Sequence, residues 1–296
     1  MNNIIIYTYF TVWQVAKAQL LYYTNKESMK ERCIVNIFDQ ISRFFLRICR
    51  IVLLLSWSLG IGLYCWFRTV LREERTALQR AARLTRIWAI GCARIMNVET
   101  DVKNPIPDVG GLVVSNHTGP FDILVNASVF PVRFAPKKEL KSTPVIGPLV
   151  ALSRPVWIDR KRKLESKKTA AVITDTIRNG VNMLVYPEGT STDGRHGLLA
   201  FKSTAFDAAE LTGCPIVKVL LFFDCPKDPG KSSAWYDDTS FGSYLWHALG
   251  LKKVVSRVYI IGVTTISADE DRKKLAARVH DEMEQEYWRI LENEES

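Results

Sequence analysis

Ser115-Asn116-His117-Thr118-Gly119-Pro120-Phe121-Asp122 follows a short apolar run, Leu112-Val113-Val114, behind Gly110-Gly111. The run reads as a buried strand. Gly119 ends it. Pro120 suits the first turn of a helix, where its fixed backbone angle fits and its missing N–H is no loss. His117 is therefore expected on a strand-to-helix loop, with Asp122 in the opening helical turn. On a continuous helix a spacing of five would splay the two side chains, because neighbours there lie three or four apart. On a loop folded back by Gly-Pro the carboxylate can reach the imidazole. That is the chemistry of a general base with an orienter, in which the carboxylate fixes the tautomer and stabilises the imidazolium. A lone His near an Asp is more often a plain surface pair, so the rest of the chain must decide.

A second strand-like run, Val181 to Tyr186, ends in Pro187-Glu188-Gly189-Thr190. From about residue 95 onward, short apolar runs alternate with helical ones. The candidate strands are Leu112–Ser115, Val156–Ile158, Met183–Tyr186, Ile216–Leu220 and Val258–Val263. Leu164 to Asn179 reads as a helix closed by Gly180, and Thr204 to Thr212 as one closed by Gly213. Ala268 to Leu291 is a charged terminal helix. The alternation predicts an α/β fold with a largely parallel sheet flanked by helices. Ligands in such sheets bind at the carboxyl ends of the strands, and both His117 and Glu188 fall just after one. Residues 224–247 carry Pro226, Pro229 and Gly230 among aromatic residues, and read as an inserted surface loop rather than a lid or a membrane-dipping segment.

Composition separates the two ends of the chain. Hydrophobic residues make up 47% and charged residues 24%, which is globular rather than disordered. Of the net charge of +9, residues 1–100 hold +8, leaving +1 for the rest. The basic excess flanks an apolar run, so attraction to anionic lipid accounts for it better than nucleic-acid binding does. The cysteines form no C-x-x-C pair and no His stands at metal-ligand spacing, so no metal site is expected and the thiols are expected reduced.

Ile51 to Phe67 carries no charge, with Arg43, Arg47 and Arg50 before it and Arg68, Arg72 and Arg75 after it. At about 17 residues it sits at the lower limit for a spanning helix, and snorkelling Arg side chains could extend it. It reads as a membrane anchor or deep interfacial helix, the alternative being a buried core helix. Thr69 to Ile90 follows as an amphipathic helix with Val70, Leu71, Ala77, Leu78, Ala81, Leu84 and Trp88 on one face and five Arg on the other. It suits either the membrane interface or packing on the domain with a solvated Arg face. Asn2 to Tyr23 is apolar but interrupted, and fits an interfacial helix or residues upstream of a start at Met29. The expected organisation is a membrane-anchoring helical segment, 1–94, followed by an α/β domain, 95–296.

Taken together, the motifs resemble the glycerolipid acyltransferase superfamily, the 1-acylglycerol-3-phosphate and lysophospholipid acyltransferases. Four blocks stand in the family's order across roughly residues 110–222: Asn116-His117…Asp122; Arg154-Pro155-Val156-Trp157-Ile158-Asp159-Arg160; Tyr186-Pro187-Glu188-Gly189-Thr190; and Cys214-Pro215-Ile216-Val217-Lys218-Val219. Phe134-Ala135-Pro136-Lys137 is similar to the family's Lys-bearing stretch. The resemblance implies transfer of an acyl group from acyl-CoA or acyl-carrier protein to a lysolipid hydroxyl. The nearest acceptor would be 1-acyl-sn-glycerol-3-phosphate, giving phosphatidic acid, at the cytoplasmic face of the inner or cell membrane. It implies His117 as base and Asp122 as orienter. Asn116, Lys137, Arg160, Glu188, Gly189, Thr190 and Arg195 would form the substrate site, with Arg160 gripping phosphate through a bidentate guanidinium. Lys137 and backbone N–H groups near Gly189 are the oxyanion candidates. No cofactor beyond the acyl carrier is implied.

One departure concerns the acceptor. The phosphatidate-forming branch usually continues the third block with Arg, whereas here Ser191-Thr192-Asp193-Gly194-Arg195 follows. Arg195 could substitute, while the form with a later Phe201-Lys202-Ser203 looks more like branches acting on lyso-ornithine lipid or lysophospholipids. A hydrolase is disfavoured because the chain has no G-x-S-x-G elbow. A non-catalytic lipid-binding scaffold is disfavoured because His117, Asp122 and Glu188 are all intact.

Overall fold

The computed structural model describes residues 37–136, 138–143, 146–151, 153–158 and 163–295. Asn2–Tyr23, Lys137 and Arg160 lie outside the described residues. The chain divides into two units, 1–49 and 50–296. The described part of the first unit is the opening of helix α1 (Ile37–Thr69), where Arg43 Nε pairs with Asp39 at 2.6 Å one turn back. All other described elements belong to the second unit, including the helices α4 (Ile146–Ala151), α5 (Lys163–Arg178) and α6 (Asp207–Thr212).

From Arg50 on, α1 forms an antiparallel hairpin with α2 (Glu74–Met96). Trp57 Nε1 donates to the Trp88 carbonyl at 3.0 Å, and Trp88 Nε1 to Ser58 Oγ at 2.9 Å. The helices touch at Gly91, where any side chain would run into the Trp57 indole. The charge-free run Ile51–Phe67 lies within α1, and only 6% of the helix's most apolar window is buried. Leu53, Leu63, Trp66 and Phe67 are exposed, so the buried-core-helix alternative does not hold.

The helix expected over Thr69–Ile90 is corrected at its start, and of its two expected settings the structure shows the packed one. The chain turns between residues 70 and 73, where Thr69 bonds back to the Cys65 carbonyl and Arg72 N–H to the Thr69 carbonyl. Leu71 is left 91% exposed. α2 then buries Ala77, Leu78, Ala81, Ala82, Thr85 and Ala89, and so packs on the domain with its Arg face outward. The boundary expected after residue 94 thus falls inside one compact unit.

The sheet has six strands: β1 (Val98–Val102), β2 (Leu112–Ser115), β3 (Val132–Arg133), β4 (Asn182–Val185), β5 (Ile216–Asp224) and β6 (Val254–Thr264). Their spatial order is β1-β6-β5-β2-β4-β3. Every pair is parallel except β5–β6. Alternate side chains build two apolar layers, as strand geometry requires. Leu112, Val114, Met183, Val185, Ile216 and Leu220 face Leu275, Val279 and Met283 of α8 (Arg272–Glu295). Val113, Leu184, Val217, Val219 and Leu221 face Ala89 of α2 and Val125 and Val129 of α3 (Pro120–Val129). Each such aliphatic side chain, fully buried, contributes roughly 1.5–3 kcal/mol.

Val156–Ile158 is not part of the sheet. It pairs with the preceding segment, Val156 N–H to the Phe134 carbonyl and Ile158 N–H to the Pro136 carbonyl. Pro136 and Pro155 carry no N–H and cannot continue a central ladder. The segment 224–247 also differs from its expected loop form, because Phe241 onward forms a helix, here α7 (Phe241–Leu249), started by Ser240 accepting from Ser243 N–H.

Candidate active site

β2, β4 and β5 lie side by side and run in the same direction, so their carboxyl ends share one rim. The loops leaving them meet there. Asn116 opens the first loop and is buried, with both ends of its amide bound to β5: Nδ2 donates to the Leu221 carbonyl at 3.0 Å and Oδ1 accepts Leu221 N–H at 2.8 Å. Its side chain therefore fixes the loop to the sheet.

Gly119 then has φ +152, and a side chain on it would meet Trp235. The chain turns there into α3, with Pro120 at its start and Asp122 in the first turn. The Asp122 carboxylate is fully buried and collects four donors. Oδ2 accepts His117 Nδ1 at 2.8 Å, Gly119 N–H at 2.9 Å and Thr118 N–H, while Oδ1 accepts the Thr118 hydroxyl at 2.7 Å. One carboxylate thus caps the helix, shapes the loop and holds the imidazole by Nδ1. Nε2 of His117 has no hydrogen-bond partner among the described residues, and the side chain is 22% exposed.

Glu188 binds backbone. Oε1 accepts His117 N–H at 2.8 Å and Oε2 accepts Leu199 N–H at 3.0 Å, with the side chain only 3% exposed. Burial raises its pKa above the usual carboxylate value, against the lowering effect of those two bonds. Gly189 sits at φ +75, an angle that disfavours any side chain, and the Lys202 side chain lies across its Cα. Its N–H is committed to the Tyr186 carbonyl at 3.1 Å, which removes it from the oxyanion candidates in this arrangement. Thr190 and Arg195 are exposed on the same loop. Arg195 stays close to the rim because Thr192 N–H donates to the His117 carbonyl and Gly194 packs on the Thr118 methyl.

Several contacts were not legible in the motifs. Tyr186 stacks on His117, with ring centroids 4.2 Å apart and planes inclined by 17°. Trp235 N–H donates to the Thr118 carbonyl at 2.7 Å, so the expected surface excursion closes directly on the His117 loop. α8 holds the far limb of the Glu188 loop, through Tyr287 hydroxyl to the Gly194 carbonyl at 2.8 Å and Leu198 N–H to Glu284 at 2.7 Å. Tyr186 stands in the third sequence block, but its spacing does not reveal a contact with His117; Trp235, Glu284 and Tyr287 belong to no motif, and the aromatic cluster at 235–246 is the one signal for that segment.

Beside the rim lies a cavity of about 390 Å³. Its walls are apolar: Leu54, Ile61 and Cys65 of α1, Leu84, Trp88 and Cys92 of α2, Pro120, Phe121 and Leu124 of α3, and Tyr244, Leu245 and Ala248 of α7. Pro120 and Phe121 belong both to this wall and to the stretch that carries Asp122. No group of His, Cys, Asp and Glu able to hold a metal occurs among the described residues.

Comparison with known proteins agrees with this geometry. The family model described as acyltransferase matches residues 97–221. The 1-acyl-sn-glycerol-3-phosphate acyltransferase of Neisseria meningitidis is 29% identical over 196 residues, covering 64% of this chain and 75% of the relative. The lyso-ornithine lipid O-acyltransferase of Rhodobacter capsulatus is 32% identical over 194 residues, covering 63% and 69%. The crystal structure of the 1-acyl-sn-glycerophosphate acyltransferase PlsC from Thermotoga maritima superposes with a TM-score of 0.62 at 17% identity, over 85% of this chain and 97% of that one.

Proposed function

The chain belongs to the acyltransferase family, and on that premise we propose that it moves a fatty acyl group from acyl-CoA or acyl-carrier protein to the free hydroxyl of 1-acyl-sn-glycerol-3-phosphate, giving phosphatidic acid at a membrane surface. The observation that carries the mechanism is the His117–Asp122 pair, with Nδ1 bound and Nε2 open, next to an apolar cavity.

A hydroxyl is a poor nucleophile at neutral pH, so a base must take its proton as the new bond forms. His117 Nε2 takes that proton while the acceptor oxygen attacks the thioester carbonyl. Asp122 holds the tautomer and balances the imidazolium. The tetrahedral intermediate collapses, the C–S bond breaks, and His117 returns the proton to the departing sulfur. Glu188 and Asn116 act by holding the backbone of the base. The cavity takes an acyl chain. Its volume lies within the roughly 300–1,000 Å³ range of small-molecule sites, and its lining suits hydrocarbon. Lys137, Arg160 and Arg195 supply cations for the oxyanion and the acceptor's phosphate. The exposed apolar side chains of α1 seat the enzyme on the bilayer, on the face where soluble acyl carriers are found.

A second acceptor, lyso-ornithine lipid, is favoured by two observations: Ser191 stands where the phosphatidate-forming branch usually has Arg, and a 32%-identical relative carries the lyso-ornithine name. Labelled acyl-CoA and acyl-carrier protein, offered with a panel of lysolipids to membranes containing the protein, separate the two. Phosphatidic acid formed by the wild type and absent with His117→Ala supports the first reading. Ester formed only from another lysolipid keeps the mechanism and replaces the acceptor. No ester from any pair, with the protein folded, overturns the proposal.

A further inference from the structure

Asp122 and Asn126 stand one turn apart on α3, on the same face of the helix. Asp122 binds the edge of the His117 ring. Asn126 is fully buried, and its Nδ2 reaches Ser115 Oγ at 3.1 Å and the Tyr186 hydroxyl at 3.4 Å. Tyr186 is the first residue after β4, and its ring lies against the flat face of His117 at 4.2 Å and 17°. One helix face therefore reaches the imidazole twice, directly at its edge and through Tyr186 at its face.

We propose that Tyr186 is a positioning residue for the base. Its ring fixes the plane of His117 and stabilises the imidazolium formed during transfer, and Asn126 pins the ring by its hydroxyl. The inference rests on the acyl-transfer reading above. The physical ground is the negative face of an aromatic ring, which attracts a cation above it more than a neutral group. A neutral imidazole gains little from the contact and the imidazolium gains more, so the ring favours the protonated base in the transition state. The titratable groups against His117 are Asp122 from α3 and Tyr186 and Glu188 from the segment after β4. Burial, with Asp122's charge second, pushes the Tyr186 phenol well above its usual pKa, so it remains neutral and its contribution is that of a face, not a charge.

The test reads both turnover and titration. His117 is followed by nuclear magnetic resonance of the four histidines, assigned by its loss in His117→Ala. Tyr186→Leu is expected to lower kcat about tenfold with KM for the lysolipid little changed, and to move the acid limb of the pH profile and the His117 titration downward by about half to one unit. Tyr186→Phe, which keeps the face, is expected to hold both within about threefold and a few tenths of a unit. If Tyr186→Leu does not fold, fluorinated phenylalanines at 186 keep the volume while weakening the ring's negative face, and the titration should step down with each fluorine. An unmoved His117 titration in Tyr186→Leu or the fluorinated series overturns the inference, as does Tyr186→Phe behaving like Leu. The titration needs no turnover, so failure of the acyl-transfer reading shows separately, as a wild type without ester product.

Discussion

Asp122→Asn is the perturbation that most directly tests the dyad. The Asn carbonyl can take the place of Oδ2 and keep the bonds from His117 Nδ1, Thr118 N–H and Gly119 N–H. The new NH₂ then faces the Thr118 hydroxyl, which can rotate to accept from it. The loop keeps its shape and the charge alone is lost. At 2.8 Å, unit charges interact by about 6 kcal/mol at an effective dielectric of 20 and about 1.5 kcal/mol in water. The carboxylate has no exposed surface, so the higher figure applies more nearly. A loss of about 3–5 kcal/mol in imidazolium stabilisation corresponds to roughly 10²–10⁴-fold in kcat. The same loss makes the imidazolium easier to deprotonate, so the acid limb of kcat/KM moves to lower pH. The assay is initial-rate acyl transfer across pH, with circular dichroism and thermal melting to establish that the fold persists. Retention of kcat within about tenfold, in a protein that melts normally, would refute the orienter role. Asp122→Ala is a poorer test, because it orphans four donors at about 1–3 kcal/mol each and confounds chemistry with stability.

Glu188→Gln replaces one acceptor by an NH₂ facing a backbone N–H, so kcat should fall about 10–100-fold with little change in lysolipid KM, and a selective rise in KM would instead show a substrate contact. The folded pKa of Glu188 is raised above the ordinary 4.5, so its favourable contribution is complete below that pH and lost as pH rises through the folded value; the stability of wild type relative to Glu188→Gln should therefore fall over that interval in pH-dependent melts. Arg50 binds the carbonyls of Ile95, Met96, Leu249 and Leu251, tying α1 to the C-terminal ends of α2 and α7. Arg50→Met should cost about 3–5 kcal/mol, and a melting temperature within about 2 °C of wild type would show the clamp to be dispensable. Leu124→Trp fills the cavity beside α3, so turnover of long-chain donors should drop several-fold more than that of short-chain donors; equal losses would place the chain elsewhere.

The parts of the site that were legible in the sequence are those set by local chemistry. Gly119-Pro120 dictates a turn into a helix whatever surrounds it, so the reach of Asp122 back to His117 follows from a handful of residues. The apolar runs at 112–115, 182–185 and 216–224 are buried on both faces, which leaves them little choice but parallel strands in a covered sheet. β1, Val98–Val102, escaped because only its two end residues are apolar, with Glu99, Thr100 and Asp101 between them at a sheet edge that meets solvent. The contacts that finish the site lie far apart along the chain: Asn116 to Leu221, Trp235 to Thr118, Tyr287 to Gly194. Each depends on which strands are neighbours, and no local pattern encodes that. The same reason explains α2. Its apolar stripe needed something to cover it, and the sequence left membrane and protein equally suited; Ala89 meeting the β2–β5 layer decides for protein. The exposed Leu and aromatic side chains of α1 have no such cover among the described residues, and an exposed apolar surface of that kind marks an interaction site. The apolar cavity is walled partly by α1 and partly by α3, so the same exposed helix borders the stretch that carries Asp122.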